Sequence, residues 1–323
     1  MRSKKFLLTT LFVAAFLIVG TVVTALPALA ANQLILATGG TAGTYYPLGG
    51  AMAQLFSTKV PNVNATAQST GASVENVRLV RNREADLAII QNDVAHYAYN
   101  GQGAFSTGAV KNFSVIASLY PEVIQAVVAA DSDISSIADL KGKKISVGAA
   151  GSGTEVNAKQ VLEAFGISYS DFQPQFLSFA ESADQFKDGH IDGFFVTARI
   201  PNSAISDVSV KNKIRILNIP DNVYAKIRAK YPFLSQVTVP DDTYMNQEGS
   251  AKTIAVRAVL IVRSDMDAGL VYNLTKALFE NAKAMGAGLD VARQIKLETA
   301  LSGVTTPLHP GAEKYFKEKG ILK

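Results

Sequence analysis

The chain has 323 residues, 31 lysines and arginines against 27 acids, a formal charge of +4, no cysteine and three histidines. The lack of cysteine excludes disulfides, thiolate metal sites, cysteine nucleophiles and a lipid anchor at a lipobox cysteine. His96, His190 and His309 lie far apart, so no local histidine cluster offers itself to a metal or to a Ser-His-Asp relay.

Residues 1–30 carry the marks of a secretory signal peptide. Met1 to Lys5 is a basic start, Phe6 to Ala25 is apolar, and Ala28-Leu29-Ala30 offers small residues at both key positions of a cleavage site. The alternative is an uncleaved anchor, since Phe6 to Ala25 is long enough to span a bilayer. Cleavage removes Arg2, Lys4 and Lys5 and no acid, so +4 becomes +1 over 293 remaining residues. A nearly neutral mature chain gives no electrostatic case for nucleic acid. Its length predicts two domains, and an exported chain without a lipid anchor predicts a periplasmic location.

After residue 30, short apolar runs alternate with helix-like segments, the pattern of α/β architecture with largely parallel sheets. Leu34–Ala37 reads as the first strand. Thr38-Gly39-Gly40-Thr41-Ala42-Gly43-Thr44 is a glycine-rich turn, followed by Tyr45-Tyr46-Pro47 and a helix over Gly49–Ser57. Val63–Gln68 predicts a strand, and Ser73 an N-cap for a helix over Val74–Arg83. Asp86–Gln91 predicts a buried strand, Asn92–Tyr99 a helix and Phe113–Ser118 a strand that Tyr120-Pro121-Glu122 interrupts before another at Val123–Ala130.

A second α/β unit then begins. Lys144–Val147 predicts a strand, and Gly148-Ala149-Ala150-Gly151-Ser152-Gly153-Thr154 a second glycine-rich turn opening a helix over Glu155–Phe165. Strands are expected at Gln175–Ser178, Ile191–Thr197, Ile214–Ile219 and Ile254–Val262. Helices are expected at Glu181–Lys187, Asp221–Lys230, Asp267–Ala284, Asp290–Leu301 and Ala312–Lys319. No low-complexity linker is visible, so ordered crossings near Tyr120 and Val262 must join the halves.

Enzyme signatures are missing: no G-x-G-x-x-G, Walker A, G-x-S-x-G or H-E-x-x-H sequence occurs. Catalysis, a cofactor and a metal are therefore not indicated. What remains is the pair of glycine-rich turns, each opening a helix. Such turns can hold a carboxylate or phosphate through backbone N–H groups and the helix dipole. Either turn alone reads as a tight βα connection; two in corresponding places favour a cleft beyond the carboxyl ends of the strands.

Several side chains carry two readings. Tyr45 and Tyr46 either pack the first helical turn or line the cleft. Ser73 is a helix cap, a ligand group at the rim, or both. Gln91, ending a buried strand, either meets a ligand or bonds a neighbouring loop. Arg199 either clamps a carboxylate or is a solvated loop arginine. His96 is expected on a helix surface.

The segment Ala37-Thr38-Gly39-Gly40-Thr41-Ala42-Gly43-Thr44-Tyr45-Tyr46-Pro47-Leu48-Gly49 resembles the opening signature of the TAXI family, the solute-binding subunits of tripartite ATP-independent periplasmic (TRAP) transporters. The resemblance continues through Ser69–Asn76, Ala85–Asp93, Ser118–Glu122, Asp139–Lys143 and Gly148–Thr154. It implies a type II periplasmic-binding-protein-like α/β fold of two lobes with a hinge, closing on a small organic anion such as glutamate, glutamine or a related carboxylate. It implies a sodium-coupled membrane permease as partner, and no cofactor. The lobes are expected at residues 31–121 with 263–323, and at 122–262, in a monomer. The site positions it carries over are Thr44 and Tyr46, Ser73, Gln91, the turn Gly151, Ser152, Gly153 and Thr154, and Tyr120. Arg199 departs from the small residue expected in relatives, which suggests an additional carboxylate on the ligand or a side chain that points away. A sensor that reports to a membrane receptor, or an enzyme on the same fold, are the alternative functions.

Overall fold

The computed structural model describes residues 31–323; the expected signal peptide lies outside them. The first strand, β1 (Asn32–Ala37), buries Leu34, Leu36 and Ala37. It pairs in parallel with β2 (Val63–Gln68) on one side and β3 (Leu87–Gln91) on the other. Between them run α1 (Tyr45–Lys59) and α2 (Ser73–Arg81), and α3 (Asn92–Asn100) follows β3 directly. Helix α1 begins at Tyr45, earlier than its apolar spacing suggested. Pro47 falls in its first turn, where a missing N–H costs nothing.

The next strand, β4 (Phe113–Ala129), is 17 residues long and does not stop at Tyr120-Pro121-Glu122. Pro121 is accommodated because the ladder is already irregular there. A register shift between Ala258 and Val259 leaves Leu119 unopposed, and Pro121 itself is solvent-exposed. The second half then builds β5 (Lys144–Ser146), α4 (Gly153–Ala164), β6 (Gln173–Gln175), α5 (Phe179–Lys187), β7 (Gly193–Ala198), α6 (Ser203–Ser209), β8 (Ile214–Ile216), α7 (Asp221–Lys230) and β9 (Ser235–Val239). The strand expected at Gln175–Ser178 therefore ends at Gln175. Ser178 instead caps α5 in a capping box with Glu181.

Strand β10 (Ala251–Arg263) runs back antiparallel to β4, and α8 (Ala268–Met285) and α9 (Pro310–Glu318) close the chain. The helix expected over Asp290–Leu301 is two short 3-10 turns, Asp290–Gln294 and Leu297–Thr299. Extended backbone at Ile295 and Lys296 separates them, and burial of the Ile295 side chain in the core explains the break.

One sheet threads the molecule in the order β2-β1-β3-β10-β4-β7-β5-β6, with β8 beside β4 and β9 beside β10. The two long strands are its shared centre. β10 pairs with β9 over Ala251–Ala255 and with β3 over Ala258–Val262, so the crossing expected near Val262 lies some residues earlier. Each half carries helices on both sheet faces. In the first, Leu48 and Phe56 of α1 pack with Leu278, Tyr315 and Phe316 of α8 and α9, while Val77 and Val94 of α2 and α3 cover the opposite face. In the second, Val161 of α4 and Ile227 of α7 form one core, and Phe186 and Ile205 of α5 and α6 the other. The result is two α/β lobes that share the strands β4 and β10.

Candidate functional site

A cavity of about 390 Å³ lies between the lobes, beyond the carboxyl ends of the parallel strands. The first lobe contributes residues 39–45, the loop 69–73 and Gln91. The second contributes Ser152, Gly153 and Thr154, the start of α5 and Thr197, with Glu122 on the shared strand between them. Tyr45, Gly153 and Phe179 are the first residues of α1, α4 and α5, so three helix N-termini meet at this space. The first-turn N–H groups and dipoles of helices favour an anion. No lysine, arginine or histidine is among the lining residues.

The first turn is braced within its own lobe. The Gly43 N–H donates to the Gly40 carbonyl at 2.9 Å, and the Thr38 hydroxyl to the Gln68 carbonyl at 2.6 Å. Helix α1 approaches β1 so closely that a Cβ on Gly49 would lie 2.3 Å from a Thr38 methyl. The second turn reaches across the cleft. The Gly151 carbonyl accepts the N–H groups of Val74 (3.0 Å) and Glu75 (3.3 Å) at the start of α2. Gly153 lies against the Gln91 side chain, where a Cβ would sit 2.0 Å from Oε1. On the other rim Ser203 Oγ donates to the Ala42 carbonyl at 2.9 Å. These bonds tie the two lobes together across the cleft.

Gln91 and Thr197 face this space with unmet polarity. Gln91 is 2% exposed, its N–H donates to Ser73 Oγ, and its Oε1 has no partner; Thr197 Oγ1 has none either. Buried polar atoms without partners are rare and costly, and both adjoin the cavity. Ser73, expected as a helix cap, is the first residue of α2 and spends its hydroxyl on the Gln91 backbone. Ser152 is the cap of α4, accepting from the Glu155 N–H at 3.1 Å, and Thr154 Oγ1 accepts from the Thr197 N–H.

Of the residues singled out from the sequence, Thr44, Tyr45, Ser73, Gln91, Ser152, Gly153 and Thr154 line the cavity. Tyr46 does not, and is 38% exposed. Tyr120 is fully buried behind the wall, with its hydroxyl 3.3 Å from Glu122 Oε1. Gly151 acts through its carbonyl toward α2 rather than toward the cavity. Arg199 is half-buried and outside the lining; its charge eases ionisation of Tyr120 and Tyr244. His96 is half-buried, its Nδ1 3.2 Å from Thr305 Oγ1 and its ring near Phe233. Among the described residues no group of three or more potential metal ligands gathers.

Sequence reasoning missed two buried acids. Glu122 is 2% exposed; Tyr45 OH donates to its Oε2 at 2.6 Å and Tyr120 OH to its Oε1. Burial pushes its carboxyl up to about 8, against the two phenol bonds that favour the anion. Both phenols are in turn pushed well up, first by burial and then by Glu122. Asp93, on α3, is fully buried and accepts from Asn157 (2.8 Å) and Gln160 (3.1 Å) of α4, a further tie between the lobes. Burial raises it to about 6. The available signal was an acid inside an apolar run, Glu122 before Val123-Ile124 and Asp93 before Val94-Ala95.

The fold is that of periplasmic binding proteins. A structure from Bordetella bronchiseptica RB50 matches with a TM-score of 0.55 and 18% identity, over 88% of this chain and 82% of that one. A putative L-cystine ABC transporter from Listeria monocytogenes matches with 0.52 and 13%, over 82% and 98%. The alkanesulfonate-binding protein SsuA from Xanthomonas axonopodis pv. citri bound to MOPS matches with 0.51 and 16%, over 88% and 83%. In sequence the NMT1-like family matches residues 36–320, nearly all of the described chain, and the protein belongs to that family.

Proposed function

We propose that this protein is an extracytoplasmic solute-binding protein that captures a small carboxylate between its lobes and delivers it to a sodium-coupled TRAP permease. The observation that carries the reading is the meeting of three helix N-termini around a cavity whose wall holds the unpaired Gln91 Oε1 and Thr197 Oγ1. The helix ends suit the anionic end of a ligand, and the unpaired atoms suit its polar groups. A volume of about 390 Å³ fits a small organic molecule. Two proteins of the same fold are described as alkanesulfonate-binding and as a putative L-cystine transporter, which supports a small polar cargo. The resemblance of residues 37–49 to the TAXI signature supports the TRAP partner over other transporters. The signal peptide expected in residues 1–30 supports a periplasmic site of action.

In this reading the lobes part and close about β4 near Tyr120–Glu122 and about β10 between Ala255 and Ala258. Ligand binding to the closed form raises the melting temperature by mass action. A panel of amino acids, mono- and dicarboxylates screened by thermal shift and calorimetry is expected to yield at least one carboxylate with a clear upward shift. A panel that yields only sulfonates, or nothing, removes the carboxylate reading.

A further inference from the structure

Glu122 is out of place in a cavity built for an anion. It sits on the one strand both lobes share, 2% exposed, with both carboxyl oxygens turned to phenol hydroxyls. The only other titratable acid in the lining is Glu181, whose carboxylate is held by the Ser178 N–H at the start of α5. No lining residue supplies a positive charge.

The charged groups on the surrounding elements do not supply one either. From α1 comes Tyr45 and from β4 Tyr120, both neutral donors. From α3 comes Asp93, whose like charge disfavours a second anion. Arg257 on β10 turns its Nε to Ser118 Oγ, and Arg199 beyond β7 acts on Tyr120 rather than on Glu122. An ionised Glu122 and an enclosed carboxylate would thus face each other across a water-poor space without a counter-charge.

We propose that Glu122 is the specificity-determining residue of the cavity, taking up one proton from solvent as the lobes close on a carboxylate, so that the anion is captured together with a proton. The inference rests on the carboxylate reading above. The proton ends on the Glu122 carboxyl, and no other bond is made or broken. As an acid Glu122 donates one hydrogen bond and carries no charge, leaving the helix N-termini to hold the anion. The direction of its raised proton affinity agrees with this.

Two probes that differ at C2, 2-oxoglutarate with a keto group and L-glutamate with an ammonium group, test it. Calorimetry in buffers of different ionisation enthalpy, run above about pH 8 where Glu122 of the free protein is ionised, should show uptake of close to one proton on binding of either. Affinity should fall by roughly tenfold per pH unit in that range and level off below it. Glu122→Gln should abolish the uptake and flatten the pH profile. Tyr45→Phe removes a bond that favours the anion, so it should move the profile to higher pH. Binding of L-glutamate without proton uptake, lost in Glu122→Gln, would overturn the proposal, since Glu122 would then be the ionised seat of the ammonium.

Melting curves cover the case in which neither probe binds, which would sink the carboxylate reading alone. A carboxyl whose folded value stands near 8, above its ordinary 4.5, stabilises the fold below the lower value and loses that contribution as pH rises through the higher. The wild type should therefore lose melting temperature relative to Glu122→Gln between these limits. A constant difference across that window would show Glu122 ionised in the folded protein and end the proposal.

Discussion

The two glycine-rich turns, 38–44 and 148–154, have similar composition and the same position between strand and helix, yet they do different work. The first is tied to its own lobe, through Gly43 to Gly40 and Thr38 to Gln68, and only the Ala42 carbonyl reaches across. The second bonds Ser152 and Thr154 within its own lobe but sends the Gly151 carbonyl to the start of α2 and sets Gly153 flat against Gln91. One turn is a wall and the other a latch. The difference teaches that a glycine's role is set by its neighbours: Gly40 has nothing within 4 Å of where a Cβ would be, whereas at Gly153 the space belongs to another side chain.

Three substitutions would break or sharpen this contrast. Gly153→Ala places a methyl inside the Gln91 side chain and should oppose closure. Overpacking of this kind costs about 1–3 kcal/mol, roughly a ten- to hundredfold loss of affinity for the carboxylate found in the panel. Calorimetry would show it, and unchanged affinity would mean that Gln91 yields and the latch is loose. Ser152→Ala removes the cap of α4 and should lower stability by about 1 kcal/mol, seen in denaturant melts. Gly40→Ala meets open space at an ordinary backbone angle, so its effect on stability should stay within roughly 0.5 kcal/mol. A large loss there would show that the first turn must move on closure.

Much of the scaffold was legible because it rests on local pattern. The apolar runs at Leu34–Ala37 and Ile254–Val262 and the turns that follow or oppose them lie where their composition put them. The errors came where tertiary forces outweigh local preference. Pro121 reads as a strand breaker, and a bulge at Leu119 in the same strand absorbs it. Asp290–Leu301 reads as a helix, and burial of Ile295 splits it. In the site, side chains adjoining the glycine turns were traceable from the turns themselves, as with Tyr45 and Ser152. Glu122 was not, because its partners Tyr45 and Tyr120 become neighbours of one carboxyl only once α1 packs over β4. Ser73 was read as a helix cap, a rim ligand group or both; it lines the cavity, and its hydroxyl accepts from β3 rather than capping its own helix.

A cavity whose wall contains dipoles and no fixed cation has a kinetic consequence. Nothing among its lining residues projects a positive potential into the solvent to draw an anion from a distance. Encounter then gains no long-range pull, the attraction is felt only within the first turn of each helix, and the ionised Glu181 carboxylate in the lining works against an incoming anion. Salt, which screens such fields beyond about 10 Å at ~0.1 M, should therefore not slow association and should modestly speed it. Such a protein would scavenge its cargo at least as well in salty surroundings as in dilute ones.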